Sequence, residues 1–549
     1  MKQFQKYGVA AAVASMAAGA MAANVSTGEV GDLAIVPYYT VNNGFNTGVH
    51  IINTSDATQV VKFRLRRGAD SKDALDFNIV MSPRDEWTGN ITAGGANGVL
   101  VETNDTTCTV PEFPAGGAPM PSTFAAGATE GYIEIISMAQ TSDEKQPIAV
   151  AAKHAKGVPA DCDAVRDNFF RVAAADAGSA GVKGVHLSDT TSNGALSAGA
   201  ASASENLSTY ADANNPLKVS FMITDSEGGL EFGDNAVMVE DFSSAAMMTN
   251  QQALSFGTDG NLNFDALNFE LPNLNQGALI ETGGRTLASA SLFDGLRDAL
   301  SADTIMNDWA AIETDTATVA TDWIVTLPGQ YTMTNPICDI YSSYDEATAG
   351  GCTSTALKLV DNNELPLVLA SNPAGDATLQ GSNMILWDRE EKQLNGTPAT
   401  SQEEAPTLGF SPGGSSSDPA APNVTASLKR EVNVISFNGA SVLGTADTQA
   451  EDLGLGVTIT VEGADRGWAE LTIQPQADAK IFNASGTDGA NIDPNGTNGT
   501  FDAVTDANDT AVVGMAVWER QFSGQAGNYG RAIEHSTISS QGRGNNGPS

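Results

Sequence analysis

The sequence has 549 residues, of which 66 are acidic and 27 are basic, and its net charge at pH 7 is −39. A charge of this sign and size repels nucleic acids and anionic lipids, and it makes cations the natural small partners of the chain. The same charge is equally expected of a protein adapted to a salty medium. Dissolved ions there screen the repulsion between surface carboxylates beyond ~10 Å, so that a high density of acidic residues is tolerated. Hydrophobic residues form 41% of the chain, which is enough for buried cores, and the length suggests two or three domains.

The first 22 residues have the three parts of a secretory signal peptide. Lys2 and Lys6 give a short positive region, residues 8–19 form an apolar run of small side chains, and residues 20–22 (Ala-Met-Ala) suit signal peptidase. The run is too short to span a bilayer, and no later segment of eighteen apolar residues predicts a transmembrane helix. We therefore expect residues 1–22 to be removed on export. The expected destination is the cell surface or the medium, with the periplasm as the alternative.

Alternation of apolar and polar residues predicts many short strands. The clearest run is Gln59–Arg66, which places three apolar side chains on one face and Lys62, Arg64 and Arg66 on the other. Further strands are predicted at Gly48–Ile52, Leu75–Met81, Gly131–Ile136, Leu217–Ile223, Trp323–Leu327, Glu431–Phe437, Gly456–Glu462, Gly467–Ile473 and Val512–Arg520. The best helical candidate is Leu292–Ala302. This pattern predicts a mainly β protein of tandem β-sandwich (Ig-like) domains, with long loops and few short helices.

Two segments of biased composition interrupt the strands. Residues 173–208 are rich in Ala, Gly and Ser, and we interpret them as a linker or insertion after an N-terminal β-sandwich domain at 23–172. Residues 401–425 are rich in Pro, Gly and Ser, and strand-like sequence flanks them on both sides. We interpret them as a loop inside a C-terminal β-rich region at 209–535, which has room for two subdomains. Residues 536–549 predict a flexible tail.

The four cysteines predict disulfides. An even count behind a signal peptide is typical of a protein that folds in an oxidising compartment. Three pairings of Cys108, Cys162, Cys338 and Cys352 are open, and the neighbour pairing of Cys108 with Cys162 and Cys338 with Cys352 is the simplest. A metal site is the weaker alternative, because the sequence has no CxxC motif and its four histidines are scattered.

Several stretches of the sequence carry a family resemblance. They are Gly31–Thr40 (GDLAIVPYYT), His50–Ser55 (HIINTS), Leu75–Gly89 (LDFNIVMSPRDEWTG), Thr321–Pro328 (TDWIVTLP), Trp387–Glu391 (WDREE), Arg430–Ile435 (REVNVI) and Gly467-Trp468. These stretches resemble a group of secreted and cell-surface proteins of proteobacteria, and they touch most of the mature chain. The resemblance implies export from a Gram-negative bacterium and a surface setting. It brings no catalytic residues to this sequence.

The loop from Asn491 to Asp502 is the best candidate for a metal site. Asn491, Asp493, Asn495 and Asp502 stand at positions 1, 3, 5 and 12 of a calcium loop, with a glycine at position 6. The loop departs from the usual pattern in its first and last ligands, in an internal proline and in the absence of predicted flanking helices. In a chain this rich in Asn, Asp and Gly, a solvated turn is the stronger interpretation. Calcium is the only cofactor that the sequence suggests.

One hydrolase motif is present but physically unsuited to catalysis. Gly409–Gly413 matches GxSxG, in which the residue after the nucleophile donates its backbone N–H to the oxyanion. That residue is Pro412, which has no N–H. We expect a turn at this position rather than an active site.

These observations favour a non-catalytic exported surface protein with a structural or assembly-forming role, as in a surface layer or coat. Its expected partners are copies of itself or cell-envelope glycans, and nucleic acid is not expected. An adhesin or an extracellular or periplasmic protein that binds a ligand or glycan is the alternative. A secreted hydrolase is the third hypothesis.

Overall fold

The computed structural model of the chain is mainly β. It describes residues 23–69, 71, 73–110, 112–120, 125, 127–167, 171–172, 183–184, 210–225, 228–244, 246–247, 272–274, 277–281, 284–289, 292–329, 382–399, 424–426, 428, 430–445, 454–473, 480–484, 499–503, 511–524 and 528–538. The predicted signal peptide, Cys338, Cys352, the GxSxG motif and most of the segment 173–208 lie outside these residues.

Three short helices occur among the described residues: α1 (Pro147–Ala152), α2 (Cys162–Asp167) and α3 (Leu292–Leu300). Two 3₁₀ turns lie at Asn42–Gly44 and Gly95–Asn97. α3 confirms the helix predicted at Leu292–Ala302. It ends at Leu300 because Ser301 enters a β-bridge with Ala511.

The first eighteen strands form two main sheets and two short hairpins. They are β1 (Asn24–Val25), β2 (Leu33–Thr40), β3 (Phe45–Asn53), β4 (Gln59–Arg67), β5 (Asp73–Met81), β6 (Glu86–Ala93), β7 (Val99–Glu102), β8 (Cys108–Val110), β9 (Ala118–Pro119), β10 (Glu130–Thr141), β11 (His154–Ala155), β12 (Val158–Pro159), β13 (Arg171–Val172), β14 (Lys183–Gly184), β15 (Tyr210–Ala211), β16 (Leu217–Asp225), β17 (Leu230–Asn235) and β18 (Val237–Glu240). An eight-stranded sheet has the order β1-β18-β2-β10-β4-β5-β8, with β15 beside β10. A six-stranded sheet has the order β17-β16-β3-β6-β7-β9.

Eleven of the remaining strands form a larger sheet, and the other four form two separate hairpins. The remaining strands are β19 (Gly277–Glu281), β20 (Gly284–Ser289), β21 (Thr304–Glu313), β22 (Ala317–Thr326), β23 (Ser382–Trp387), β24 (Gln393–Ala399), β25 (Val424–Ala426), β26 (Val432–Phe437), β27 (Gly456–Glu462), β28 (Arg466–Thr472), β29 (Lys480–Ala484), β30 (Gly499–Ala503), β31 (Val513–Phe522), β32 (Tyr529–Glu534) and β33 (Ser536–Ile538). The hairpins are β19 with β20 and β29 with β30. The order of the eleven-stranded sheet is β32-β31-β22-β26-β27-β24-β23-β28-β21-β33, with β25 beside β23. β22 also pairs with β21, so that the strands from β22 to β21 in this order form a closed ring. β33 occupies the start of the predicted tail.

Each strand predicted from alternation overlaps a strand of the structure, so the mainly β prediction is confirmed. Long-range pairing was not predictable from the same pattern. Leu217–Asp225 pairs with Phe45–Asn53, and β18 pairs with β2. The stretch from 217 to 240, which the sequence division placed with the C-terminal region, therefore completes the two N-terminal sheets.

Aromatic side chains pack between the eight-stranded and six-stranded sheets. Phe63 and Phe77 lie opposite each other on β4 and β5, and their ring centroids are 4.8 Å apart. Trp87 reaches them from β6 of the other sheet, at 5.6 Å from Phe63 and 5.8 Å from Phe77. A Cβ at Gly89 would overlap the Trp87 ring, which explains a glycine two residues after this tryptophan. Burying each large apolar side chain stabilises the fold by roughly 1.5–3 kcal/mol.

The other face of β4 is also buried, although it carries Lys62, Arg64 and Arg66. The Lys62 Nζ lies 2.9 Å from a carboxylate oxygen of Asp76, and the Arg66 Nε lies 3.3 Å from Glu134. A buried charge is tolerated when it is paired and hydrogen-bonded. The contact of Lys62 with Asp76 is also a hydrogen bond, and Arg66 donates through Nη1 to the Ser71 carbonyl at 3.2 Å. Alternation alone does not reveal that both faces of the strand are covered.

The C-terminal sheet packs directly on the N-terminal half. The Thr326 hydroxyl donates to the Pro37 carbonyl at 2.6 Å, and the Val432 N–H donates to the Gly68 carbonyl at 2.8 Å. One apolar core continues from the strands of the first half into those of the second. The two halves are therefore joined by buried contacts in addition to the connecting chain.

A disulfide joins Cys108 of β8 to Cys162 of α2. It confirms the first bridge of the neighbour pairing and ties the helices α1 and α2 to the edge of the eight-stranded sheet. The second predicted bridge, between Cys338 and Cys352, stays a prediction.

Candidate functional site

The predicted calcium loop is only partly described. Asn491, Asp493 and Asn495 lie outside the described residues, and Asp502 lies in β30, opposite Ile481 of β29. Within the described part of the chain, no group of three or more His, Cys, Asp or Glu side chains could hold a metal ion. The calcium site therefore stays a prediction.

Buried carboxyl groups anchor backbone segments. The Asp32 carboxyl accepts hydrogen bonds from the N–H groups of Phe242 and Ser243 at 2.9 and 3.0 Å. One oxygen of Asp322 accepts the N–H groups of Val442 and Leu443 at 2.9 and 2.8 Å. Burial raises the pKa of Asp32 to about 7 and that of Asp322 to about 6, against the opposing effect of these hydrogen bonds.

A third buried carboxyl group lies where the two halves of the chain meet. Glu130 on β10 accepts the Tyr38 hydroxyl at 2.7 Å and the Thr445 hydroxyl at 3.4 Å. Burial raises the pKa of Glu130 to about 7. Like Asp32 and Asp322, Glu130 does not line either of the surface cavities described below, and its contacts fit a role in holding the fold together.

One buried histidine is held in its neutral form. The Nδ1 atom of His535 accepts the Asn307 amide at 3.1 Å, so its Nε2–H donates to the Ile324 carbonyl at 3.0 Å. Burial lowers the pKa of His535 to about 4. Both ring nitrogens are therefore used inside the fold.

Aromatic and arginine side chains gather in one region of the C-terminal sheet. We call this region the aromatic–arginine surface, and it consists of Trp387, Trp468, Trp518, Phe522, Tyr529, Arg389, Arg466, Arg520 and Arg531. Trp468, Phe522 and Tyr529 are 37%, 40% and 64% exposed. Large apolar side chains that stand exposed side by side often mark a binding site.

The strand register produces the arrangement of these side chains. Trp387 and Trp468 face each other on β23 and β28, and their parallel rings stack with centroids 4.1 Å apart. Trp518 and Arg531 face each other on β31 and β32, and the guanidinium lies 4.7 Å from the centre of the Trp518 ring. Arg520 follows Trp518 by two residues, so both side chains project from the same face of β31.

Two neighbouring cavities open on this surface. The first, of about 170 Å³, is lined by Trp468, Trp518, Arg389, Arg466 and Arg520 together with the small or apolar residues Ala310, Ile312, Val319 and Gly467. The second, of about 360 Å³, shares Trp518 and Arg520 with the first and continues along Phe522, Tyr529 and Arg531. Ligand pockets for compact molecules usually enclose roughly 300–1,000 Å³. The first cavity falls below this range and the second lies near its lower end, and because they share Trp518 and Arg520 they suit an extended ligand that spans both.

The lining of the two cavities contains more arginines than carboxylates, which is unusual for this acidic chain. Arg389, Arg520 and Arg531 are exposed and form no ion pair with a carboxylate within the described residues. Arg466 lies 3.5 Å from Asp465, and both side chains are about half exposed. The buried Trp309 also lines the first cavity, and within the described residues its indole N–H has no hydrogen-bond partner. The surface therefore presents several hydrogen-bond donors and free positive charge.

Sequence reasoning did not find this surface. Trp387 and Gly467-Trp468 entered only as signs of family resemblance, and the alternation of Trp518 and Arg520 entered only as a strand. The signal that was present is the recurrence of Trp and Arg two residues apart in an acidic chain. The sequence did not predict which strands would be neighbours in the sheet.

The comparisons with known proteins place no constraint on the site. No protein-family model, curated protein sequence or solved structure matches the chain. The resemblance to secreted proteobacterial proteins therefore stays a prediction. Over the described residues, no helix combines the length and apolar character needed to cross a membrane.

Proposed function

We propose that the chain is an exported, non-catalytic surface protein that binds a cell-envelope glycan through the aromatic–arginine surface. The observation that carries this proposal is the pair of joined cavities with Trp468 and Trp518 in their lining. Sugar rings have apolar C–H faces that pack on indole rings, while their hydroxyl groups accept hydrogen bonds from arginine. An amphipathic polymer is therefore matched on both counts.

The architecture supports a binding role on a rigid scaffold. The eight-stranded and six-stranded sheets pack across Phe63, Phe77 and Trp87, which favours a β-sandwich for the N-terminal half. Apart from Arg389, which lies in the turn after β23, the aromatic–arginine surface lies on strands of the C-terminal sheet, and sites on strands are held more firmly than sites on loops. Export by a signal peptide would bring this scaffold to the cell envelope.

Self-association is the second candidate function, and it retains the structural surface-coat role expected from the sequence. Trp, Tyr and Arg are the residues most enriched at the centres of protein–protein interfaces, and all three occur here. A contact between this surface and a different, acidic face of a second copy would be heterologous and could propagate into an open array. Sedimentation at increasing protein concentration distinguishes this candidate from glycan binding.

The test uses the mature protein and purified envelope polysaccharide in affinity electrophoresis. We expect the polysaccharide to retard the wild type, and Trp468→Ala to reduce the retardation. Met222→Ala is the matched control, because Met222 is 44% exposed on β16, outside the aromatic–arginine surface. Equal retardation of the wild type and Trp468→Ala would refute glycan binding at this surface.

A further inference from the structure

We infer that the glycan bound by the aromatic–arginine surface is a polyuronate, whose carboxylates pair with Arg466 and Arg520 while its sugar rings lie against Trp468 and Trp518. This inference rests on the function proposed above and adds the chemical class of the ligand.

The first argument is the concentration of positive charge. The whole chain has only 27 basic residues against 66 acidic ones, yet four arginines border two joined cavities. A chain under general pressure toward acidic residues has no solvation reason to place four guanidinium groups together. A ligand with negative charge gives such a reason.

The nearby carboxylates leave much of this charge available. Asp308 lines the first cavity and Glu519 lines the second. The Glu519 carboxylate accepts the side-chain amides of Gln521 and Asn528 at 2.5 and 2.6 Å. One oxygen of Asp388, beside Arg389, accepts the backbone N–H groups of the following turn. The Glu519 and Asp388 carboxylates are held by these groups and compete less for the arginines. Asp308 remains as one carboxylate against the three arginines of the first cavity.

The geometry of the cavities favours a sugar carboxylate over an isolated anion. The first cavity is lined by Trp468 and Trp518 but by neither Trp387 nor Arg531, the groups that stack on them. Each indole is therefore held in place by a side chain that does not line the first cavity. A sugar ring bound in this cavity would contact two indole rings whose positions are fixed. A guanidinium binds a planar carboxylate through two parallel hydrogen bonds, which suits a carboxylate fixed to a ring.

The charge of the whole chain makes the salt dependence of binding diagnostic. At low ionic strength, the net charge of −39 repels any polyanion over a long range. Moderate salt screens this repulsion more than it screens contacts within the cavity, and high salt weakens the arginine contacts as well. Affinity for a uronate oligomer should therefore pass through a maximum as salt rises. A short oligomer should bind better than a long polymer at low salt.

The test is calorimetric titration of the mature protein with a galacturonic-acid trimer and with the matching neutral galactose trimer. The wild type should bind the acidic trimer about tenfold more tightly or better, since hydrogen bonds to charged groups are the stronger class. The double variant Arg466→Gln, Arg520→Gln should lose this preference and keep its affinity for the neutral trimer. Arg520→Lys should give an intermediate preference, because lysine keeps the positive charge and lacks the two parallel N–H donors of the guanidinium.

The control is Arg84→Gln, because Arg84 is an exposed arginine of the N-terminal half that pairs with Asp56. It should behave as the wild type. Equal wild-type affinity for both trimers would overturn the polyuronate inference and leave the proposed glycan binding intact. Failure of both trimers and of envelope polysaccharide to bind would defeat both proposals. Tighter binding of adenosine monophosphate or of a sulfated trimer than of the uronate would also overturn the inference, in favour of a nucleotide or a sulfated glycan.

Discussion

Trp387 and Trp468 stand directly opposite each other on β23 and β28, and their ring planes differ by only 9°. Trp468 lines the first cavity, whereas Trp387 does not. Trp387 therefore acts by supporting the indole of Trp468. Offset-stacked aromatic pairs contribute about 0.5–1.5 kcal/mol beyond the area that they bury.

Replacing Trp387 tests this supporting role. Trp387→Leu removes the ring that Trp468 stacks on, so the affinity for the uronate trimer should fall about two- to tenfold while the lining of the cavity stays chemically unchanged. The near-UV circular dichroism of the protein should change as well, because two coupled indoles are separated. An unchanged spectrum together with unchanged affinity would show that the stack has no positioning role. Met222→Ala again serves as the control.

The disulfide should contribute substantially to stability. Removing the bridge by the double substitution Cys108→Ser, Cys162→Ser should lower the free energy of unfolding by about 2–4 kcal/mol, because the bridge spans 54 residues and restricts the unfolded chain. Equilibrium urea unfolding measures the change. Peptide mapping without reductant tests the second pair, and free thiols at Cys338 and Cys352, or a bridge between either of them and Cys108, would contradict the neighbour pairing.

The buried carboxyls predict a protein that is more stable at mildly acidic pH than at alkaline pH. The folded-state pKa values of Asp32 and Glu130 are raised to about 7 and that of Asp322 to about 6. The folded state therefore binds protons more readily than the unfolded state, and the resulting stabilisation is lost progressively as the pH rises from the ordinary carboxyl pKa of about 4 to the raised folded-state values of 6 to 7. His535 acts in the opposite sense, because its lowered pKa costs stability as the pH falls from 6.5 toward 4.

Thermal unfolding between pH 5 and pH 8, at constant ionic strength, measures this balance. We expect a lower melting temperature at pH 8 than at pH 5.5, since the carboxyls with raised pKa values outnumber the one histidine that acts in the opposite sense. The double variant Glu130→Gln, Asp322→Asn keeps oxygen acceptors at both positions and should flatten the dependence. A melting temperature that rises steadily toward pH 8 would contradict the assignment.

Calcium binding is a separate prediction from the sequence. If the loop from Asn491 to Asp502 binds Ca²⁺, millimolar calcium should raise the melting temperature beyond a control with monovalent salt at the same ionic strength. The Asp493→Ala, Asp502→Ala variant should lose that increment. Should the increment persist in the variant, the ion binds elsewhere, and should it be absent from the wild type, the loop is a solvated turn.

The local structure of this chain was largely readable from its sequence. Alternation at Gln59–Arg66 and at Gly456–Glu462 predicted β4 and β27 almost to the residue, because a strand with one apolar face has a period of two. Alternation does not say what covers the second face. Lys62, Arg64 and Arg66 look like solvent-facing residues in the sequence, yet all three are buried among carboxylates and backbone carbonyls.

The candidate site could not be predicted from the sequence for a related reason. Its residues come from β23 and the turn after it, and from β28, β31 and β32, which are brought together by the order of the C-terminal sheet. Strand order depends on pairings between distant segments, and each strand pattern is compatible with many partners. Neither Arg466 nor Trp518 stands out within its own strand. They come to line one cavity because β28 pairs with β21, β21 pairs with β22, and β22 pairs with β31.

Hydrogen–deuterium exchange with and without the galacturonic-acid trimer tests the central claim most directly. At saturating ligand, exchange should slow in the strands that carry the aromatic–arginine surface, Arg466–Thr472, Val513–Phe522 and Tyr529–Glu534. It should stay unchanged in Phe45–Asn53, Glu86–Ala93 and Val99–Glu102 of the six-stranded sheet, whereas Leu230–Asn235 of that sheet packs against Tyr529–Glu534 and does not serve as a control. Protection confined to those N-terminal strands, or no protection anywhere at saturation, would contradict the account.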